Sequence, residues 1–170
     1  MSHLFHRIRQ LHDHFFYLVE YLRSPFLLFV RLYWGWQLAQ SGWGKLHNLT
    51  NVTDFFASLN LPFPGQTALA ISCVEFFGGI FFALGLLSRT TALILTVNMF
   101  MAYLTADREA LLSIFSDPDK FYAAAPYTFL VASVIVLLFG PGKIALDSLL
   151  GSSATDPAVR GTRSVPSSIS

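Results

Sequence analysis

A chain of 170 residues that is 54% apolar and 12% charged, with a mean hydropathy of +0.54, carries too little charge for the surface of an ordinary soluble domain, where about 25% is usual. Its formal net charge of +1 gives no reason to expect a nucleic acid partner. The single cysteine, Cys73, excludes an internal disulfide and a C-x-x-C redox centre, and the length suits one domain.

Leu4, Ile8, Leu11, Phe15, Leu18 and Leu22 fall at steps of four and three, opposite Arg7, Arg9, Asp13 and Glu20. That spacing predicts an amphipathic helix over 1–23 lying on a membrane surface. Charges and histidines interrupt any apolar core of a cleavable signal peptide there. His3, His6, His12 and His14 lack a carboxylate or cysteine at recognised ligand spacing, so no metal site is expected.

Four apolar runs follow, at 25–42, 68–87, 90–106 and 123–140. Each approaches the roughly 20 residues that a helix needs to cross a bilayer. Lipid leaves an unpaired backbone no partner, which favours helices over isolated strands. The segment 43–67 contains "SLNLPFPG", a turn region shaped by prolines and a glycine, and two N-x-T tripeptides at Asn48 and Asn51. Residues 151–170 are small and polar, as in a disordered tail. The expected fold is all-α: an integral membrane four-helix bundle over 24–150, with the amphipathic surface helix before it. Arg7, Arg9, Arg23, Arg89, Lys143, Arg160 and Arg163 fall on one side of this arrangement, against Lys45, Arg108 and Lys120 on the other. Both termini, and the tail, are therefore expected in the cytoplasm.

Arg31 and Glu75 are the only charges in these runs, and Asn98 is an amide in the third. Glu75 stands roughly 10 Å into its span at ~1.5 Å per residue, where a charge is costly and faces the bundle interior or a cavity. Helical spacing joins Arg31, Gly35, Ala39 and Gly42 in one stripe, Ser72, Glu75, Gly79 and Ala83 in a second, and Asn98, Ala102 and Thr105 in a third. Stripes of small residues are where membrane helices approach closely. Three readings are open for Glu75: an ion pair with Arg31, a neutral carboxyl donating a hydrogen bond, or a cavity group that binds or protonates a polar ligand head. The opposite depths of Arg31 and Glu75 leave a gap that the arginine side chain or a ligand must close.

Three stretches in order, "RLYWGWQLAQSGWGKL" with Arg31, Gly35, Gly42 and Lys45, "VEFFGGIFFALGLLSR" with Glu75, Gly78, Gly79, Gly85 and Arg89, and "LLFGPGKIALD" with Gly140, Pro141, Gly142 and Asp147, resemble the DoxX family of small bacterial four-helix membrane proteins. The resemblance implies a place in the bacterial cytoplasmic membrane, among lipids and other membrane subunits of a larger complex. Relatives include a subunit of a thiosulfate:quinone oxidoreductase and members linked to thiol redox defence. A quinone-linked redox subunit is therefore one expectation, with a quinone held near Arg31, Glu75 and Asn98. The other is a non-catalytic accessory subunit that packs against a larger complex and binds lipid. No autonomous catalytic motif is present. The chain also departs from the family pattern at "MAYLTAD" and "AAAPYTFL", where many members carry a histidine and a glutamate. A transfer role resting on those two residues does not carry over.

Overall fold

The computed structural model describes residues 2–148 and is helical throughout its regular parts. The tail expected over 151–170, with Arg160 and Arg163, lies outside the described residues, as do most of the side chains expected to form the amphipathic stripe. Helix α1 (Ser2–His47) runs for 46 residues with Pro25 inside it. The surface helix and the first apolar run are thus one continuous helix. Helix α2 (Leu49–Ser58) and helix α3 (Pro64–Leu84) follow, then α4 (Ser88–Thr105), the short α5 (Arg108–Leu112) and α6 (Pro118–Ala123), and α7 (Pro126–Phe139).

Sequence signals explain the helix ends. Pro64 occupies the first turn of α3, where its missing N–H costs nothing and its fixed φ suits the helix. Gly85 ends α3 at φ 71°, and its amide donates to the Phe81 carbonyl at 2.9 Å, the left-handed cap that glycine adopts without strain. The expected turn region of 43–67 is largely helical instead: α1 extends to His47 and α2 occupies most of the rest. Asn48 turns between α1 and α2, and 59–63 turns between α2 and α3, with Asn60 at φ 55° and Phe63 at φ 49°. Helix α2 packs on α3, with Phe56 as its buried residue.

α1 packs chiefly on α3 and α4 chiefly on α7, with α3 joining the two pairs. The first contact is made through the expected glycine stripes. Arg31, Gly35, Ala39 and Gly42 are all buried, as are Ser72, Glu75 and Gly79. The α1 and α3 backbones approach so closely that a Cβ added at Gly35 would stand 2.8 Å from the Gly79 oxygen. The α4–α7 contact includes a hydrogen bond from Thr96 Oγ1 to Ser133 Oγ at 3.0 Å. Val30, Leu38, Phe82, Ala92, Leu95, Met99, Ala132 and Val136 form the apolar core between the pairs.

All four expected spans are helices. Among the described residues, α3 is the one long and apolar enough by itself to cross a membrane. α7 is apolar but only 14 residues long.

Candidate functional site

The two charges that the sequence places inside the bundle lie at opposite ends of it, each with partners of its own. On α1, Ser41 and Lys45 are one helical turn apart and share a face. Lys45 Nζ donates to Glu75 Oε1 at 2.5 Å, and Ser41 Oγ donates to Glu75 Oε2 at 3.1 Å. The Glu75 side chain is 5% exposed and that of Lys45 is 34% exposed. Leaving either charge unpaired in such a place would be costly; here each carboxylate oxygen has a donor.

This pair forms part of the wall of a cavity of about 760 Å³, a size usual for a small-molecule site. α1 contributes Leu38, Ser41 and Lys45, α2 contributes Val52 and Phe56, and α3 contributes Ile71 and Glu75. The far wall is Asn98, Met99, Ala102 and Thr105 of α4 with Phe129 of α7. The third stripe read from the sequence therefore faces the same space as Glu75. Asn98 is half-buried, and its amide has no hydrogen-bond partner among the described residues. The walls are mostly apolar, with a few polar groups brought together at one end of the bundle.

Arg31 is not part of this cavity. It is 1% exposed at the opposite end, where it donates from one terminal nitrogen to the Pro141 carbonyl at 2.5 Å and from the other to the Ile144 carbonyl at 2.7 Å. Of the three readings open for Glu75, the ion pair with Arg31 is therefore not made, and Arg31 stands apart from the ligand site in which it was expected beside Glu75 and Asn98. The remaining motif residues gather around it. Asp147 accepts from the Leu87 amide at 2.8 Å and the Ser88 amide at 2.6 Å, satisfying free N–H groups at the start of α4. Burial pushes the Asp147 carboxyl up, but hydrogen bonds from Ser88 and Leu87 and the Arg31 charge together outweigh it, leaving it below its ordinary value. Gly140 and Gly142 take φ of 78° and 79° on either side of Pro141. The Arg89 guanidinium lies beside Gly140, and the Lys143 amide donates to Ser24 Oγ at 2.9 Å. A Cβ at Gly85 would strike the Arg31 guanidinium at 2.7 Å.

Of the three residues expected at a ligand site, the structure brings Glu75 and Asn98 together and removes Arg31. Sequence reasoning placed Lys45 in a motif without a role and passed over Ser41. The signal for Lys45 was available: in an antiparallel hairpin, a residue just past the end of the first run lies near the depth of Glu75, and lysine is long enough to reach inward.

These features define a helical bundle with a buried ion pair facing an apolar cavity. Residues 26–108 match the DoxX family model, so this stretch of the chain is similar to that family. No curated protein and no solved structure gives a significant match.

Proposed function

We propose that this protein is an integral membrane four-helix bundle that holds a quinone-class amphipath in its cavity as a subunit of a membrane-bound redox complex. The observation that carries the reading is the Lys45–Glu75 pair set in the wall of a mostly apolar cavity of about 760 Å³. A quinone head needs hydrogen bonds to its oxygens and apolar surroundings for its ring and tail. The Lys45 ammonium, the Asn98 amide and walls such as Met99 and Phe129 fit those needs. Electrons for reduction come from partner subunits; this chain binds and orients the head.

Membrane immersion is supported by an inverted distribution of side chains. On α3 the buried residues are Ala68, Ser72, Glu75, Gly79 and Phe82, while Leu69, Phe77, Phe81 and Leu84 face outward. Leu93, Ile94, Val97 and Phe100 do the same on α4. Apolar residues outside and small or polar ones inside suit lipid as the solvent. Arg23, Arg89 and Lys143 gather at the Arg31 end, where Arg23 donates to the Phe139 carbonyl at 3.0 Å. The cavity end carries Lys45 and Asp107, and α5 and α6 beyond it carry Arg108 and Lys120 beside Glu109 and Asp119. Four basic residues at the other end, Arg23, Arg31, Arg89 and Lys143, against these three favour the cytoplasm for the Arg31 end and the outer side for the cavity.

A second reading, an accessory subunit without bound quinone, is favoured by one face of α1. Phe26, Phe29, Tyr33 and Trp36 are all exposed there, and the rings of Phe29 and Tyr33 stack at 5.7 Å. Purification from native membranes in a mild detergent, followed by extraction of bound quinone and identification of co-purifying proteins, separates the two. Stoichiometric quinone with an oxidoreductase partner is the expected result. A complex free of quinone would replace the first reading with the second.

A further inference from the structure

The geometry points to Lys45 as the residue that contacts the ligand head, with Glu75 behind it as a positioning residue; this rests on the reading of the cavity as an amphipath site. Both oxygens of Glu75 are engaged, one by Lys45 and one by Ser41, and its side chain is 5% exposed. Lys45 is the more open partner at 34%, and it also lines the cavity. An ammonium carries three N–H donors and no acceptor, and among the described residues Glu75 is the one acceptor bonded to Lys45. Donors therefore remain for an oxygen in the cavity.

Glu75 does two things for that contact. It fixes the direction of a long, flexible side chain, and it neutralises the ammonium so that the pair carries no net charge. A neutral pair suits an oxygen acceptor on an uncharged or weakly charged head better than a free anion. Asn98 faces the same space from α4, its amide without a partner among the described residues, offering a second hydrogen-bonding point on the opposite wall. The ligand chemistry is thus an apolar molecule with oxygen acceptors at its polar end. Quinone carbonyls meet that description, and so do the ester or phosphate oxygens of a lipid.

The test is the amount and identity of amphipath extracted from wild type, Lys45→Arg, Lys45→Met and the double variant Lys45→Met/Glu75→Leu, purified alike and compared by thermal melting. The double variant removes the pair together, so no lone buried charge remains to unfold it. Lys45→Arg keeps a donor and retains ligand. Loss of a hydrogen bond to a charged group predicts an affinity about tenfold weaker or more for the folded double variant, read as ligand lost on purification. Glu75→Gln tests positioning: with melting unchanged, the infrared carbonyl stretch of an added quinone shifts from its wild-type value because the donor is no longer held in place.

If wild type carries quinone and the folded double variant keeps it, the role of Lys45 is overturned and the quinone reading stands. If wild type carries phospholipid, lost on removing Lys45, the role of Lys45 stands and the quinone reading falls. A wild type that carries no amphipath overturns both. An unshifted carbonyl band in Glu75→Gln overturns the positioning role.

Discussion

Gly79→Ala is the sharpest test of how α1 and α3 are held together. A Cβ added at Gly79 stands 2.5 Å from the Ala39 nitrogen, 2.7 Å from the Gly35 oxygen and 3.0 Å from the Ala39 Cα. All three are backbone atoms, so no side chain can rotate away. Unstrained contacts need about 3.5 Å or more, which forces the helices apart by about 1 Å. Overpacking of this kind costs about 1–3 kcal/mol, and a rigid backbone neighbour favours the upper part of that range. The better helix propensity of alanine returns up to about 1 kcal/mol, for a net loss of about 2 kcal/mol. Gly42→Ala behaves likewise, because its Cβ would strike the Phe76 amide. Gly44 is the internal control: it lies in the same helix, is exposed, and has nothing within 4 Å of its added Cβ. Gly44→Ala is therefore neutral or slightly stabilising. Thermal melting of the three variants in one detergent reads the difference. Equal melting temperatures for Gly79→Ala, Gly42→Ala and Gly44→Ala would refute the close approach of α1 and α3.

Two further outcomes follow from the separate polar ends. In double-mutant cycles on stability, Glu75→Leu with Lys45→Met shows a coupling of about 1–3 kcal/mol, while Glu75→Leu with Arg31→Leu adds within about 0.5 kcal/mol; substantial Arg31–Glu75 coupling would contradict the partners seen here. Replacing Asp147 by Ala removes the acceptor for the first amides of α4 and costs about 1 kcal/mol, read as a lower melting temperature. Because the folded Asp147 carboxyl lies below its ordinary value, its stabilisation is complete above an unfolded value of about 3.9. It fades as pH falls through the lower folded value. Melting curves between neutral and acid pH should therefore fall less steeply for Asp147→Asn than for wild type, and parallel curves would count against this role.

Much of the α1–α3 interface was legible in the sequence because its cause is local. Gly35, Gly42 and Gly79 recur at helical spacing among bulky residues, and a helix can bring its backbone close to another only along such a face. The face bearing Asn98 was legible on the same ground. Helix α2 was not. It is ten residues long, with the weak helix formers Asn51, Thr50, Val52 and Thr53. Its shape comes from burying Phe56 against the bundle, a contact that spacing alone does not announce.

The partner of Arg31 was hidden for a different reason. Sequence gives the depth of a charge along its own helix, and two buried charges of opposite sign invite pairing. It does not show that the chain after α7 turns back through Gly140 and Gly142 and presents the Pro141 and Ile144 carbonyls to the guanidinium. Those acceptors are backbone atoms, which leave no mark in residue type. A direct Arg31–Glu75 contact would have had to span much of the bundle's apolar middle. Arg31 instead meets carbonyls beside Asp147 at one end, while Lys45 and Ser41 meet Glu75 at the other. Partnering each charge where it stands leaves Val30, Leu38, Phe82 and Val136 to fill the interior between the ends. It also frees the cavity end from any duty to balance Arg31, so the groups facing that space can serve a ligand.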